Sequence, residues 1–213
     1  MGPWLPEPIL TGRDVAEDVA LAESVSMAML VVLETLLPLE RAVFVLREAF
    51  GMPYAEIADV LGRKEEAVRQ LGRCARDHVQ ERRSRFVADQ SEQRRVTERF
   101  LEATSTGNLE ALMAVLSPGV TLVADGGGRA FAPRRPIRGA EKVARFLRSV
   151  GSEPVSDLRV RVAPVNGGSG ILVVSEDKPI SALVLDVSDG VVRTIHLVAN
   201  PEKLAGVCGI ETP

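Results

Sequence analysis

Two domains of different class are predicted by this sequence, an all-α helix-turn-helix followed by an α+β domain with an antiparallel sheet. Three observations predict it. Residues 39–76 carry helical periodicity broken at Gly51, Pro53 and Gly62. The second half places helical stripes first and alternating β-rich runs after them. A chain of 213 residues is long enough to bury two small cores.

The helix-turn-helix is the clearer half. Val43, Phe44, Leu46 and Ala49 give its first helix a buried stripe, Gly51 ends it, and Pro53 suits the start of the next. The second helix runs from Tyr54 to Leu61 with Ile57, Ala58, Val60 and Leu61 expected inward. Gly62 then supplies the permissive backbone for a tight turn between crossing helices. A third helix begins near Lys64. At about 100° per residue, Val68, Leu71, Ala75 and Val79 share one side, while Arg69, Arg73 and Arg76 lie within roughly 60° on the other.

That second side is a cationic reading face. The guanidinium fork grips a guanine edge or anchors a phosphate, and the major groove admits a helix. Lys64 opens the face; Glu66 and Gln70 flank it, able to accept from cytosine or bridge to adenine. Glu65 and Glu66 serve equally well as first-turn partners of the helix dipole. A charged helix face is also what solvent alone favours, so the preceding helix and its glycine turn carry the nucleic-acid reading.

Leu39–Glu40–Arg41, the core Tyr54–Ala55–Glu56–Ile57–Ala58 and the helix end at Ala75–Arg76 resemble region 4 of a bacterial sigma factor, which reads the upstream promoter element. The resemblance implies promoter DNA and core RNA polymerase as partners.

Composition narrows the class further. Hydrophobic content of 46% suits a globular chain, and a net charge of −3 argues against a general nucleic-acid coat. Charge is concentrated: Arg63 to Arg85 holds eight Lys/Arg against four Asp/Glu, and the basic patch is expected to be confined to the third helix. Cys74 and Cys208 lack metal-ligand spacing, so no metal or cofactor is expected. No apolar run is long enough for a bilayer span or signal sequence, and a reducing cytoplasm without a membrane partner is the expected setting.

Gly2–Pro3–Trp4–Leu5–Pro6–Glu7–Pro8 cannot be helical, because its prolines remove donors and favour extended backbone. It reads as a semi-rigid linker over residues 1–13, with Trp4 needing cover. From Asp14 a long amphipathic helix follows and ends before Pro38. The proline-rich segment is similar to the linker between regions 2 and 4 in one group of extracytoplasmic-function sigma factors. The chain would then start where region 2 should already have ended, as a truncated or an atypical product, with truncation the expectation. The helical module spans residues 14–88.

Residues 89–213 differ in texture. Val96, Phe100, Leu101 and Ala103 form a helical stripe; Asn108 caps a second helix, Leu109 to Leu116, which Ser117–Pro118–Gly119 stops. A strand over Val120–Ala124 and a helix over Ala140–Val150 precede strand-like runs at Val155–Val165, Gly170–Ser175, Ile180–Val187 and Val191–Val198. Turns at Asn166–Gly167–Gly168 and Asp189–Gly190 separate the strands.

That order, headed by ERFLEATSTGNLEALMAVLSPGVTLVADGGG, is similar to the SnoaL-like branch of the nuclear-transport-factor-2 superfamily, in which three helices close a curved sheet into a cone with a pocket. The sigma-factor group with the linker motif carries such an extension, with motifs matching Asp125–Gly126–Gly127–Gly128–Arg129 and Asn200–Pro201–Glu202–Lys203–Leu204. The resemblance implies regulation of the sigma module in cis by these residues with Trp4, Leu5 and Pro6. Enzymes on the fold use a carboxylate in an apolar cavity opposite a tyrosine or other donor. Here Tyr54 belongs to the helix-turn-helix, leaving Asp125, Asp186, Arg193 and His196 as pocket groups. No catalytic residues are therefore assigned. A ligand-sensing regulator or a fused SnoaL-like enzyme with a small molecule in the pocket is the alternative, and an interaction module a third. The tail offers Leu204, Val207 and Ile210 as apolar cover for Trp4, so that linker and tail would clasp.

Overall fold

A computed structural model of the chain describes residues 2–10, 27–83, 90–151 and 156–207. They fall into two units, one within residues 28–86 and one joining residues 1–27 to 87–213. The helix start expected at Asp14, the boundary expected near Phe86, and Cys208 and Ile210 lie outside the described residues.

The first unit holds α1 (Met27–Thr35), α2 (Pro38–Glu48), α3 (Tyr54–Leu61) and α4 (Glu65–Arg83). Pro38 stands in the first turn of α2, where a missing N–H costs no helical bond, and the Glu40 carboxylate accepts from the Leu37 N–H at 3.2 Å. Gly62 closes α3 in the left-handed region (φ 60°), and its N–H returns to the carbonyls of Ala58 and Asp59. Val43, Ile57, Ala58 and Val68 form one buried cluster, and Val32, Leu36, Ala75 and Val79 a second. Val60, expected inward, is 67% exposed. Ile57, Ala58 and Leu61 span about 100° of the wheel, and Val60 falls outside that arc.

Gly72 sits in the middle of α4, where glycine weakens a helix. A Cβ there would lie 3.0 Å from the ring and hydroxyl of Tyr54 and 3.3 Å from Val43. The bare backbone lets α3 and α2 approach α4 closely.

The second unit opens with α5 (Gln90–Ser105) and α6 (Leu109–Val115), followed by β1 (Leu116–Asp125), the two-residue β2 (Ile137–Arg138) and α7 (Ala140–Gly151). It continues through β3 (Leu158–Val165), β4 (Gly168–Ser175), β5 (Lys178–Ser188) and β6 (Val191–Val198) to a 3-10 helix over Pro201–Val207. Asn108 caps α6 as expected, its side chain accepting from the Ala111 N–H at 3.0 Å.

The six strands lie in the order β2-β1-β6-β5-β4-β3. The sheet is mixed rather than wholly antiparallel, because β1 pairs with β6 in parallel. The connection between them, which contains α7 and the other four strands of the sheet, is long enough to return the chain in the same direction. Register shifts at Leu116/Thr121, Val173/Val174 and Asp186/Val187 add bends to the sheet.

Leu122, Ala124, Leu183, Leu185, Ile195 and Leu197 alternate onto the face covered by α5, α6 and α7, where Val96, Phe100, Leu112, Val143 and Ala144 meet them. Val184, Asp186, His196 and Val198 point to the opposite face and are buried there.

Gly72→Val is expected to destabilise the helical unit by about 1–3 kcal/mol through overpacking against Tyr54 and Val43. Thermal unfolding followed by the helical circular dichroism signal checks it, and an unchanged or raised midpoint would contradict the close approach.

Candidate functional site

Two constellations stand out, one in each unit. On α4, Val68, Gly72, Ala75 and Val79 are buried, while Glu66, Arg69, Gln70, Arg73 and Arg76 are exposed, as is Lys64 just ahead of the helix. The Arg69 Nε donates to Glu65 at 2.9 Å one turn back. Arg76 donates to the Tyr54 hydroxyl at 2.6 Å and pairs with Glu48 at 3.3 Å. The Tyr54 hydrogen bond, with support from Glu48, raises the Arg76 guanidinium above its ordinary value despite the opposing effect of burial. Arg47 and Arg69 lie over the Tyr54 ring at 5.0 and 5.7 Å. Tyr54 is thus the fulcrum that holds α2, α3 and α4 together by their polar sides. Arg76 belongs partly to this framework, and Arg73 is the arginine of the face that makes no ion pair among the described residues.

The second constellation gathers residues from three distant parts of the chain. Asp125, at the end of β1, is 4% exposed. Its Oδ2 accepts from the Leu5 N–H at 3.0 Å and from the Lys203 ammonium at 2.7 Å, and its Oδ1 from the Gly127 N–H at 3.0 Å. Lys203, 8% exposed, also donates to the Leu5 carbonyl. Burial alone would push the Asp125 carboxyl up. The Lys203 hydrogen bond, the two backbone N–H groups and the lysine charge outweigh it and hold the carboxyl below the ordinary carboxylate range.

Around this core the two motifs interlock. The Asp125 carbonyl accepts from the N–H groups of Ala199 and Asn200 at 2.8 and 3.0 Å. Gly127, at φ 59°, stands against the Asn200 side chain so closely that a Cβ would come within 2.4 Å of it. A Cβ on Gly126 would meet the Ala130 carbonyl at 2.7 Å, while Gly128 has open space around it. The Asn200 Oδ1 accepts from the Glu202 N–H at 3.1 Å, and Arg129 pairs with Glu202 at 2.9 Å on the surface. Leu204 and Val207 are buried; Pro201 is exposed.

The linker belongs to this unit rather than standing apart. Leu5 is 2% exposed and Pro6 and Pro8 are buried, whereas Trp4, expected to be the covered residue, is 57% exposed. Its ring instead meets the Lys203 ammonium, 3.9 Å from the centroid. A second anchor was not foreseen. The Asn166 Oδ1 accepts from the Ile9 N–H at 3.0 Å, its Nδ2 donates to the Glu7 carbonyl at 3.2 Å, and its own N–H donates to the Ile9 carbonyl at 2.8 Å. Leu10 then forms an antiparallel bridge with Val165. In sequence, Asn166 signals only the turn it also makes, at φ 49°.

Of the four expected pocket groups only Asp186 and His196 meet. His196 Nε2 meets Asp186 Oδ2 at 2.7 Å, on the sheet face turned away from the helical core, and the His196 Nδ1 has no hydrogen-bond partner among the described residues. Arg193 is exposed and donates to Ser117 and Asp189 at 3.0 and 2.9 Å. Asp125 is engaged as described. No cluster suited to a metal ion and no helix long and apolar enough to cross a membrane occurs among the described residues.

The model of sigma-70 region 4 matches residues 26–79. The chain is 34% identical over 218 residues to the ECF RNA polymerase sigma factor SigJ of Mycobacterium tuberculosis, covering 96% of this chain and 70% of that protein. The probable ECF RNA polymerase sigma factor SigI of the same species is 34% identical, over 90% of this chain and 63% of that one. The crystal structure of Mycobacterium tuberculosis SigJ superposes with a TM-score of 0.74 at 33% identity, covering 97% of this chain and 76% of that chain.

A carboxylate held below its unfolded value stabilises the fold above about pH 4 and loses that contribution as pH falls through the folded value. Protection of the Leu5 amide against hydrogen exchange is therefore expected to stay level from neutral pH down to about pH 4, to decline progressively from there, and to be lost once the folded carboxyl is protonated. Loss of protection already near pH 5 would contradict the assignment. Asp125→Ala would strand the Lys203 ammonium at a cost of about 3–5 kcal/mol were the site to stay closed. Exchange at Leu5 should therefore rise sharply, and at Ile9, held by Asn166, much less.

Proposed function

The chain belongs to the extracytoplasmic-function RNA polymerase sigma factors, and from that premise we propose that α4 reads promoter DNA while the α+β domain regulates the same chain in cis. Core RNA polymerase and promoter DNA are the partners, and the cytoplasm is the place of action. The carrying observation is the division of α4. One side is locked into the core through Val68, Gly72, Ala75 and Val79, which leaves Arg69, Gln70 and Arg73 in solvent with Lys64 and Glu66 beside them. A helix so anchored presents a face of fixed orientation to the major groove, where Arg73 and Arg69 reach base edges or phosphates. Arg76, held to Tyr54 and Glu48, serves as a backbone contact or as scaffold.

The regulatory role rests on the Asp125–Lys203 clasp, which seizes the main chain of the linker through Leu5. Trp4, Leu5, Pro6, residues Asp125 to Arg129 and residues Asn200 to Leu204 form the regulatory set. An isomerase-like role finds no support in the geometry. Asp125 is tied up in the clasp, and the Asp186–His196 pair lies on the face away from α5, α6 and α7.

Arg73→Ala is expected to remove about 1–3 kcal/mol of discrimination between matched and scrambled promoter DNA, with Arg69→Ala acting in the same sense. Equilibrium binding to both DNAs reads it; discrimination unchanged in the double variant would refute the recognition-helix assignment. In transcription by the reconstituted polymerase, Asp125→Ala and deletion from Asn200 onward should each alter promoter output, and output matching the unmodified chain would refute regulation by the clasp. The chain should show no turnover of isomerase-type substrates; an Asp125-dependent reaction would reverse that view.

A further inference from the structure

Positive charge is not confined to α4. Between Gly126 and Val150 the sequence holds seven Lys/Arg against the single acid Glu141, a local balance of +6 in a chain of net −3. All seven side chains are exposed. Arg129 is neutralised by Glu202. The other six, Arg134, Arg135, Arg138, Lys142, Arg145 and Arg148, make no ion pair among the described residues.

Their placement is ordered by the fold. Arg134 and Arg135 lie in the bend before β2, Arg138 is in β2 at the edge of the sheet, and α7 starts two residues later. On α7, Lys142, Arg145 and Arg148 recur every third residue, so they share about 120° of the wheel and rise about 9 Å along the axis. The opposite side of α7 is committed to the core through Val143 and Ala144. The result is a cationic track along the β2 edge and the outer side of α7. Phe131, in the loop leading to it, is 76% exposed.

We propose that this track is a second DNA-binding surface, one that holds the phosphate backbone without reading sequence. The inference rests on the reading of the chain as a DNA-binding sigma factor. Three features favour DNA over an acidic protein face. Five of the six free cations are arginines, whose planar forks match phosphate oxygens bidentately. The track sets six cations against one acid, Glu141, which lies within the same arc of α7, and so strong an imbalance suits a polyanion of regular charge better than a protein face of mixed sign. The exposed ring beside the arginines suits contact with sugars or an unpaired base. The task differs from that of α4, where Glu66 and Gln70 stand among the arginines and give the face a pattern to discriminate with.

The test is the salt dependence of DNA binding by the full chain, on matched duplex, scrambled duplex and single-stranded DNA, with and without Arg134→Gln/Arg135→Gln/Arg145→Gln. Each phosphate that is no longer neutralised takes about 0.9 off the steepness of log K against log salt on duplex, so the triple variant should flatten the slope by about 2–3. Affinity for both duplexes should fall by a common factor of at least about tenfold at low salt, with their ratio unchanged. Single-stranded DNA weakened more than duplex would identify unpaired strand as the preferred form; equal weakening would identify the duplex backbone. An unchanged slope on every DNA overturns the proposal, as does a variant that keeps its DNA slope and fails to bind core polymerase instead. Failure of the recognition-helix reading looks different, since the unmodified chain would then not distinguish matched from scrambled duplex while the triple variant still flattened the slope.

Discussion

A single buried carboxylate holds together three parts of the chain that are far apart in sequence. Asp125 receives the Leu5 N–H from the linker, the Gly127 N–H from its own turn and the Lys203 ammonium from the final 3-10 helix. Removing a carboxylate and an ammonium from water is costly, and their mutual attraction offsets the cost only when the remaining hydrogen-bonding capacity is filled. Here the backbone of residues 5 and 127 fills it. The glycines that follow Asp125 are part of the same constraint, since Gly127 must leave room for Asn200 and Gly126 for Ala130 and Ala132. The stretch from Asp125 to Arg129 and the stretch from Asn200 to Leu204 thus build a single polar core.

The helical unit solves a different problem, the aiming of one helix face. Its polar counterpart of the apolar core is Tyr54, whose hydroxyl binds Arg76 and whose ring lies beneath Arg47 and Arg69. Gly72 permits this by withholding a side chain where the ring passes. Arginines used in this way are stiffened by their contacts, which lowers the entropy they lose when they meet a second partner.

Much of this is legible in the sequence, and what escapes follows from how the signals arise. Helices α2, α3 and α4 announce themselves by apolar spacing, by Pro38 and Pro53 and by the left-handed Gly62, because each of these acts locally. Strand β6 is legible to its ends, and Asn108 is legible as a cap. The parallel pairing of β1 with β6 and the short β2 are not, since a strand's partner and direction are settled by the whole topology. Linker and tail do meet, yet through Leu5 with Asp125 and Lys203 rather than through apolar cover of Trp4, because which side of the segment faces inward depends on the groove it enters. Asn166 is hidden behind its role as a turn former. The cationic track escapes because it crosses a bend, a strand and a helix, so no single periodicity reveals it.

The linker also has mechanical character. Its two anchored residues, Leu5 and Ile9, stand four apart with two prolines between them, and a stretch of that length reaches at most about 13–14 Å. Tension entering from the side of Leu10 loads the Asn166 bonds before any strain reaches Asp125, whereas tension entering ahead of Trp4 loads the Leu5 bonds to Asp125 and Lys203 first. The anchors therefore yield one after the other, like a seam opened from one end. A pull from either side needs only the strength of a single anchor to begin, and the direction of the pull decides which one gives way.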